Sequence, residues 1–308
     1  VTSLIIDNLH KSYGDLKALD GVSFAVSNGE IFGFVGGNGA GKTTTMRIIL
    51  GVLAANSGDV LWNDHPISLE DRRRIGYMPS ERGLYPAMTV RDQLVYFARL
   101  KGVSAKAAAQ AAVRWTERLN LAHRLDDKLQ ALSLGNQQRA QLAAALIADP
   151  EILVLDEPFS GLDPIAVDVM SEVLREAAAS GVPVIFSSHQ LALVETLCDR
   201  VGIIEQGKMV AVGSVEALAT PEHPRFEVYG APPEAWMGSL PDAHILEQAP
   251  STTPGSTSIR TVLEIPGGDG QAVLAAALGA GPVTSFRPSR PTLTDLYRHV
   301  VSDKEATE

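Results

Sequence analysis

The chain has 308 residues, long for one domain, and its 45% hydrophobic content is ordinary for a globular protein with a full core. Its formal net charge of −10 argues against nucleic acid as the main partner, and a single cysteine, Cys198, excludes an internal disulfide and fits a reducing cytosol. No apolar run approaches the roughly 20 residues that cross a bilayer, and Asp7 and Lys11 interrupt the early apolar residues as no signal peptide would.

Residues 1–35 read as strands and turns: Leu4-Ile5-Ile6 and Val22 to Val26 cluster as strands do, broken at Tyr13-Gly14-Asp15 and Ser27-Asn28-Gly29. Tyr13 reads equally as an exposed turn aromatic or as a platform for a purine ring. The apolar run Glu30 to Val35 leads into a glycine-rich stretch, and the helix that follows stops near Gly51. Ser57-Gly58-Asp59 leads to Val60-Leu61-Trp62, and Asn63 to Pro66 makes another turn. Arg72-Arg73-Arg74 reads as a solvated face, and Ile75 to Met78 as a strand. From Thr89 to Ala148 the pattern turns helical, with apolar residues at 90, 94, 97 and 100 and a cap at Ser104.

Strands return at Ile152 to Leu155, Val182 to Phe186, Val201 to Ile204 and Met209 to Val212, with helices opening at Asp163-Pro164 and over Leu191 to Cys198. Such alternation implies a largely parallel sheet. Cys198 follows Val194 and Leu197 at helical spacing, as a buried structural thiol does. Composition shifts around Pro221 to Pro224. The expected domains are 1–222, with a helical insert over about 84–148, and a small α+β domain over 223–308. In the latter, strands near Arg225 to Tyr229, Ala243 to Leu246, Ile259 to Ile265 and Val283 to Phe286 combine with helices at Glu234 to Met237 and Gln271 to Leu278. That order suggests a ferredoxin-like domain closed by a helix over Thr292 to Val301, with a loop at Pro250 to Ser258 and a frayed tail after Ser302.

The chemistry centres on Gly36-Gly37-Asn38-Gly39-Ala40-Gly41-Lys42-Thr43, a G-x-x-x-x-G-K-T phosphate loop set between a strand and a helix. Its glycines let successive N–H groups face a phosphate chain, and the helix dipole points the same way. Lys42 is placed to reach the β- and γ-phosphates and the Thr43 hydroxyl to bind Mg²⁺. Asp156 and Glu157 end a buried strand. An aspartate there holds Mg²⁺ through water, while Glu157, expected on the opposite side, takes a proton from an attacking water. His189 ends the next strand in Ser187-Ser188-His189, placed to meet a γ-phosphate. Ser133, in Leu132-Ser133-Leu134-Gly135-Asn136-Gln137-Gln138-Arg139, caps a helix and offers a second anion site. One chain cannot easily use both sites on one triphosphate, which raises the possibility of a dimer.

The phosphate loop, the serine-glycine string, Asp156-Glu157, Ser160-Gly161-Leu162-Asp163 and His189, in that order, resemble the nucleotide-binding subunit of an ATP-binding cassette (ABC) transporter over residues 1 to about 220. Gly83-Leu84-Tyr85-Pro86 and Pro158 to Pro164, with an extra C-terminal domain, are more specifically similar to the drug- and sodium-export branch, whose permease subunits are separate chains. The resemblance implies an α/β fold: a P-loop NTPase core with an antiparallel β subdomain and a helical signature subdomain. It implies an ATPase using ATP and Mg²⁺, energising transport through permeases at the inner face of the cell membrane. Each ATP would lie between the phosphate loop of one subunit and the signature of another copy or a paralogous subunit.

By resemblance Tyr13 stacks on adenine, and Lys42, Thr43 and Thr44 hold the phosphates and Mg²⁺. Ser133 and Gly135 reach the γ-phosphate across the dimer. Asp156 is the Mg²⁺ aspartate, Glu157 the general base, His189 the switch histidine, and Asp163 belongs to the loop linking the two sites. Leu134 and Asn136 depart from the usual signature, and Gly37 stands where proline is common. Ser80 stands where the family has a glutamine that reaches Mg²⁺ and senses the permease; a water or Glu81 would have to substitute. Ribosome- or DNA-acting family members are disfavoured by the single nucleotide domain, the short helical insert and the acidic charge. A small-molecule kinase would leave the signature and His189 without a role.

Overall fold

The computed structural model describes residues 3–81, 83–250 and 258–297, and the chain divides by its contacts into two compact units, Val1–Val215 and Glu216–Glu308. The break precedes the composition shift at Pro221 to Pro224 that had marked the boundary expected at 222/223.

The first unit begins with β1 (Ser3–Tyr13) and β2 (Leu16–Ser27), an antiparallel pair turning at Gly14 and Asp15. A bulge at Asn8, whose φ is 49°, resets the alternation so that Leu4, Ile6 and Leu9 all face the core. β3 (Ile31–Val35) leads through the glycine loop to α1 (Lys42–Ile49), which stops at Gly51 in the left-handed conformation. β4 (Ser57–Trp62) and the two-residue β5 (His65–Pro66) complete an antiparallel sheet of order β2-β1-β4-β5.

In the Arg72–Arg74 run, Arg73 and Arg74 are exposed as the solvated reading expects, and only Arg72 is half-buried, its Nε donating to Ile49 O at 3.2 Å. The run ends α2 (Leu69–Arg73), a helix closed by a Ser68–Asp71 capping box. Next come β6 (Ile75–Met78), then α3 (Val90–Leu100), α4 (Ala105–Arg118) and α5 (Leu134–Leu146), capped by Thr89, Ser104 and Ser133.

β7 (Ile152–Leu155), α6 (Pro164–Ala179), β8 (Val184–Ser188), α7 (Leu191–Leu197), β9 (Arg200–Glu205) and β10 (Lys208–Ser214) follow, and α8 (Val215–Leu218) straddles the break between units. The main sheet has the order β10-β9-β3-β8-β7-β6, parallel except for the β9–β10 hairpin. Every residue of β3, β7 and β8 is buried, as apolar strands covered on both faces require. The antiparallel sheet, α1 and one face of the main sheet share a core, in which Phe24 stacks on Phe32 at 4.8 Å between ring centroids. α6 and α7 pack against β3. A Cβ at Gly33 would lie 2.6 Å from Val194 and 2.8 Å from Cys198 Sγ, so this glycine sets how closely α7 approaches. Cys198 is half-buried rather than fully buried as expected, and its desolvated surroundings, with Asp199 nearby, push the thiol pKa up and disfavour the reactive thiolate.

In the second unit β11 (Arg225–Gly230), β12 (His244–Pro250), β13 (Ile259–Glu264) and β14 (Ser285–Ser289) form an antiparallel sheet of order β12-β13-β11-β14. α9 (Gly270–Ala280) covers one face through Val273 and Ala277, packed with Phe226, Val228, Trp236 and Leu263. The helix expected at Glu234 to Met237 is instead two 3-10 turns, Pro233–Ala235 and Met237–Ser239. The first turn stops at Trp236, whose φ of −136° is not helical, and Gly238 disfavours a continuous helix beyond it. The backbone is helical at 293–297; the remainder of the expected terminal helix, the tail and most of the Pro250 to Ser258 loop lie outside the described residues.

On the other sheet face the nearly buried Glu227 accepts from both Arg260 and Arg287. Burial raises its pKa, but these bonds outweigh that and hold it below the ordinary carboxylate value. A depressed folded-state pKa contributes stability above the unfolded value that is lost as pH falls through the folded one. Glu227→Gln is therefore expected to cost about 2 kcal/mol at pH 7 and to flatten the acid limb of the stability curve, measured by urea unfolding from pH 7 to 3.

Candidate nucleotide site

The carboxyl ends of β3, β8, β7 and β6 open onto one cleft of about 300 Å³, lined by Gly37 to Thr44, Ser80, Asp156 and Glu157. Ligands of open α/β sheets bind at this edge because the glycine loop and the helix start converge there. Gly41, the residue before α1, has φ of 114°, and a Cβ on it would lie 2.8 Å from Ala18 O, so only glycine fits. The buried Lys42 folds back into the loop, donating to Gly36 O (2.6 Å) and Gly37 O (3.1 Å). Burial lowers its pKa while Glu157 and Asp156 oppose that shift. Anionic oxygens brought here would further favour the charged form.

Thr43 Oγ1 donates to Asp156 Oδ2 at 2.8 Å, placing two hard oxygen donors side by side. The second Asp156 oxygen, Oδ1, accepts from Ser187 Oγ at 2.6 Å. Ser187 Oγ also accepts the Glu157 N–H at 2.8 Å, so one hydroxyl orients the aspartate and anchors the backbone of its neighbour. This residue is 0% exposed. The sequence offered the signal of a serine closing an apolar strand, yet only His189 of that string had been given a role.

Glu157 corrects the expectation that it faces away from Asp156. Its φ of 52° puts it in the left-handed region, where strand alternation no longer applies, and both carboxylates line the cleft. That conformation costs about 1–2 kcal/mol for a residue with a Cβ and points to a functional constraint. Glu157 Oε1 lies 3.8 Å from Lys42 Nζ, and Oε2 lies 2.8 Å from His189 Nδ1. Ser187→Ala, losing both bonds, is expected to lower kcat about tenfold with less effect on KM, while Ser187→Thr stays near wild type; steady-state phosphate release measures it.

The cleft does not contain every expected residue. Tyr13 is 51% exposed at the β1–β2 turn, with the Lys11 ammonium 5.3 Å from its ring centroid, and is not among the lining residues. Ser133, Gly135 and Asp163 are not among them either. Ser133 caps α5, and the Asp163 carboxylate caps α6 through Ala166 N–H at 2.8 Å. These two helix starts are neighbours: a Cβ at Gly135 would meet Leu162 at 3.7 Å, and one at Gly161 would meet Leu134 at 3.0 Å.

With this geometry in view, the family profile described as "ABC transporter" matches residues 19–160, which span the glycine loop, the signature and Asp156-Glu157. The uncharacterized ABC transporter ATP-binding protein YhaQ of Bacillus subtilis is 45% identical over 215 residues, covering 70% of this chain and 72% of that protein. The chain belongs to the ABC transporter ATP-binding proteins. Nod factor export ATP-binding protein I of Burkholderia orbicola is 39% identical, over 76% of this chain and 78% of its own. A solved ATP-binding subunit of an ABC transporter superimposes with a TM-score of 0.64 at 29% identity, over 70% of this chain and 91% of that one. As an ABC ATP-binding subunit the chain binds and hydrolyses ATP and works with membrane permease components. Among the described residues no helix is long and apolar enough to cross a membrane, and no cluster of three or more His, Cys, Asp or Glu could hold a metal. A cation bound at Thr43 and Asp156 would thus take its other ligands from phosphate oxygens and water, as Mg²⁺ commonly does.

Proposed function

We propose that this ABC subunit drives export as half of a head-to-tail pair, two copies or one copy and a paralogous ATPase, sandwiching two MgATP on the inner face of the cell membrane. The observation that carries the reading is the division of the expected residues. The phosphate loop, Asp156 and Glu157 share one cleft, whereas Ser133 and Gly135 sit beside the Asp163 turn outside its lining. Each chain then carries half of two sites. Leu134 (41% exposed) and Ile165 (71% exposed) flank Ser133 and Asp163 and would be covered by the partner. The export direction rests on the likeness to a protein named for Nod factor export.

In this reading Lys42 and the loop N–H groups of Gly36 to Thr44 hold the β- and γ-phosphates, and Tyr13 stacks on the base. Thr43 and Asp156, with Ser80 nearby, hold Mg²⁺, which neutralises phosphate charge when bound. Glu157 accepts a proton from water as that oxygen bonds the γ-phosphorus and the bridging P–O bond breaks, giving ADP and phosphate. His189, bonded to Glu157 through Nδ1, has its other nitrogen for the γ-phosphate. A groove of about 950 Å³ beside α3 suits the permease, with Leu84, Phe97 and Leu100 on one wall and Arg72 to Arg74 on another. The test is phosphate release per chain against protein concentration. Shared sites make it rise steeply from nanomolar to micromolar protein, and a flat profile with full activity in the monomer refutes the pairing.

A further inference from the structure

The loop Pro79–Glu81 is a thin wall. On one side Ser80 lines the phosphate cleft; on the other, Pro79 and Gln141 line the groove beside α3. Ser80 is too short to span far in either direction. The polar side chain that grips this wall comes from elsewhere. Gln141, 5% exposed on α5, donates from Nε2 to Pro79 O at 2.7 Å and to Glu81 O at 3.0 Å, straddling Ser80. The same helix carries Ser133 and Gly135 at its start.

We infer that Gln141 is a positioning residue that ties the cleft wall at Ser80 to the signature helix α5. The inference rests on reading the cleft as the ATP site. Two carbonyls flanking Ser80 are held by one rigid side-chain amide, so a shift of the wall on phosphate binding must drag α5, and displacement of α5 must move Ser80. An apolar residue of equal volume would fill the space without transmitting that displacement.

The experiment compares wild type, Gln141→Met and Gln141→Asn in the full chain. Methionine keeps the volume and loses the donor; asparagine keeps the donor and loses volume and reach. Hydrogen–deuterium exchange is followed on peptides covering 77–81 and 134–146, with and without Mg²⁺ and adenylyl imidodiphosphate, alongside nucleotide affinity and ATPase kinetics. In wild type both peptides gain protection together. In Gln141→Met the 77–81 response stays, the 134–146 response falls at least about threefold, and kcat falls about tenfold, with affinity and KM within about twofold. Gln141→Asn lies between, because its amide still reaches one carbonyl. The inference is overturned if Gln141→Met transmits like wild type, if wild-type α5 does not respond, or if methionine outperforms asparagine, the order that packing alone would give. Should the methionine variant fail to fold, asparagine matching wild type in every readout overturns it. A wild-type chain that binds no magnesium nucleotide would instead refute the ATP-site reading.

Discussion

Glu157→Gln is expected to cut ATP hydrolysis by about 10³-fold while leaving ATP binding intact, and to turn a transient pair into a stable one. A positioned general base contributes roughly 10²–10⁴ in rate, and the amide cannot accept the proton. The substitution is nearly isosteric and keeps an acceptor toward His189, 2.8 Å away in the wild type, so the cleft should hold its shape. Removing the charge 3.8 Å from Lys42 also lowers repulsion toward the phosphates, which favours the bound state. Light scattering with MgATP should then report twice the monomer mass with two nucleotides, and monomer without it. Adding Ser133→Arg should restore the monomer, because a bulky cation at an exposed helix cap obstructs the facing surface without disturbing the chain's own core. A nucleotide-saturated Glu157→Gln that remains monomeric defeats the shared-site arrangement.

Lys42→Ala is the second large effect. The ammonium is buried and contacts two loop carbonyls and a carboxylate, and among the described residues no other lysine or arginine lines the cleft. Charge-assisted hydrogen bonds contribute about 1.5–3 kcal/mol each, so losing this group should weaken ATP binding roughly 100-fold or more by calorimetry. Thermal stability without nucleotide should change far less. The loss of bonds to Gly36 and Gly37 is offset by relief of the burial that lowers the Lys42 pKa. An alanine variant binding ATP within threefold of wild type would remove Lys42 from the site.

Features set by local chemistry were readable in the chain itself. The glycine loop, the stop at Gly51 and the caps at Ser104, Ser133 and Asp163 depend on residues within a few positions of one another, and the structure has each where expected. The apolar runs of β3, β7 and the first three residues of β8 were equally plain, because strands buried on both faces are largely apolar. α2 escaped notice, being five residues long within a charged run and held by its capping box more than by any apolar stripe.

At the site, residue types were legible and their orientation was not. Glu157 was expected to face away because alternation assumes an extended backbone, and a left-handed residue breaks that assumption. Ser187 and Gln141 act on partners far away in sequence, Asp156 and the Pro79–Glu81 loop, so nothing in their own neighbourhoods announced the contacts. In the second unit, alanine-rich α9 was visible from composition, whereas the non-helical backbone at Trp236 that splits the residues after Pro232 into two short turns has no mark in their composition.

The sulfur wedged beside Gly33 gives this molecule a practical property. Half-buried against β3 and α7, with its thiolate disfavoured, Cys198 should react with maleimides and mild oxidants more slowly at neutral pH than an exposed thiol would. Spin labels, fluorophores or bifunctional cross-linkers can therefore be attached at a cysteine introduced anywhere on the surface without first deleting Cys198. Short labelling times then suffice to favour the introduced site in distance measurements between two chains.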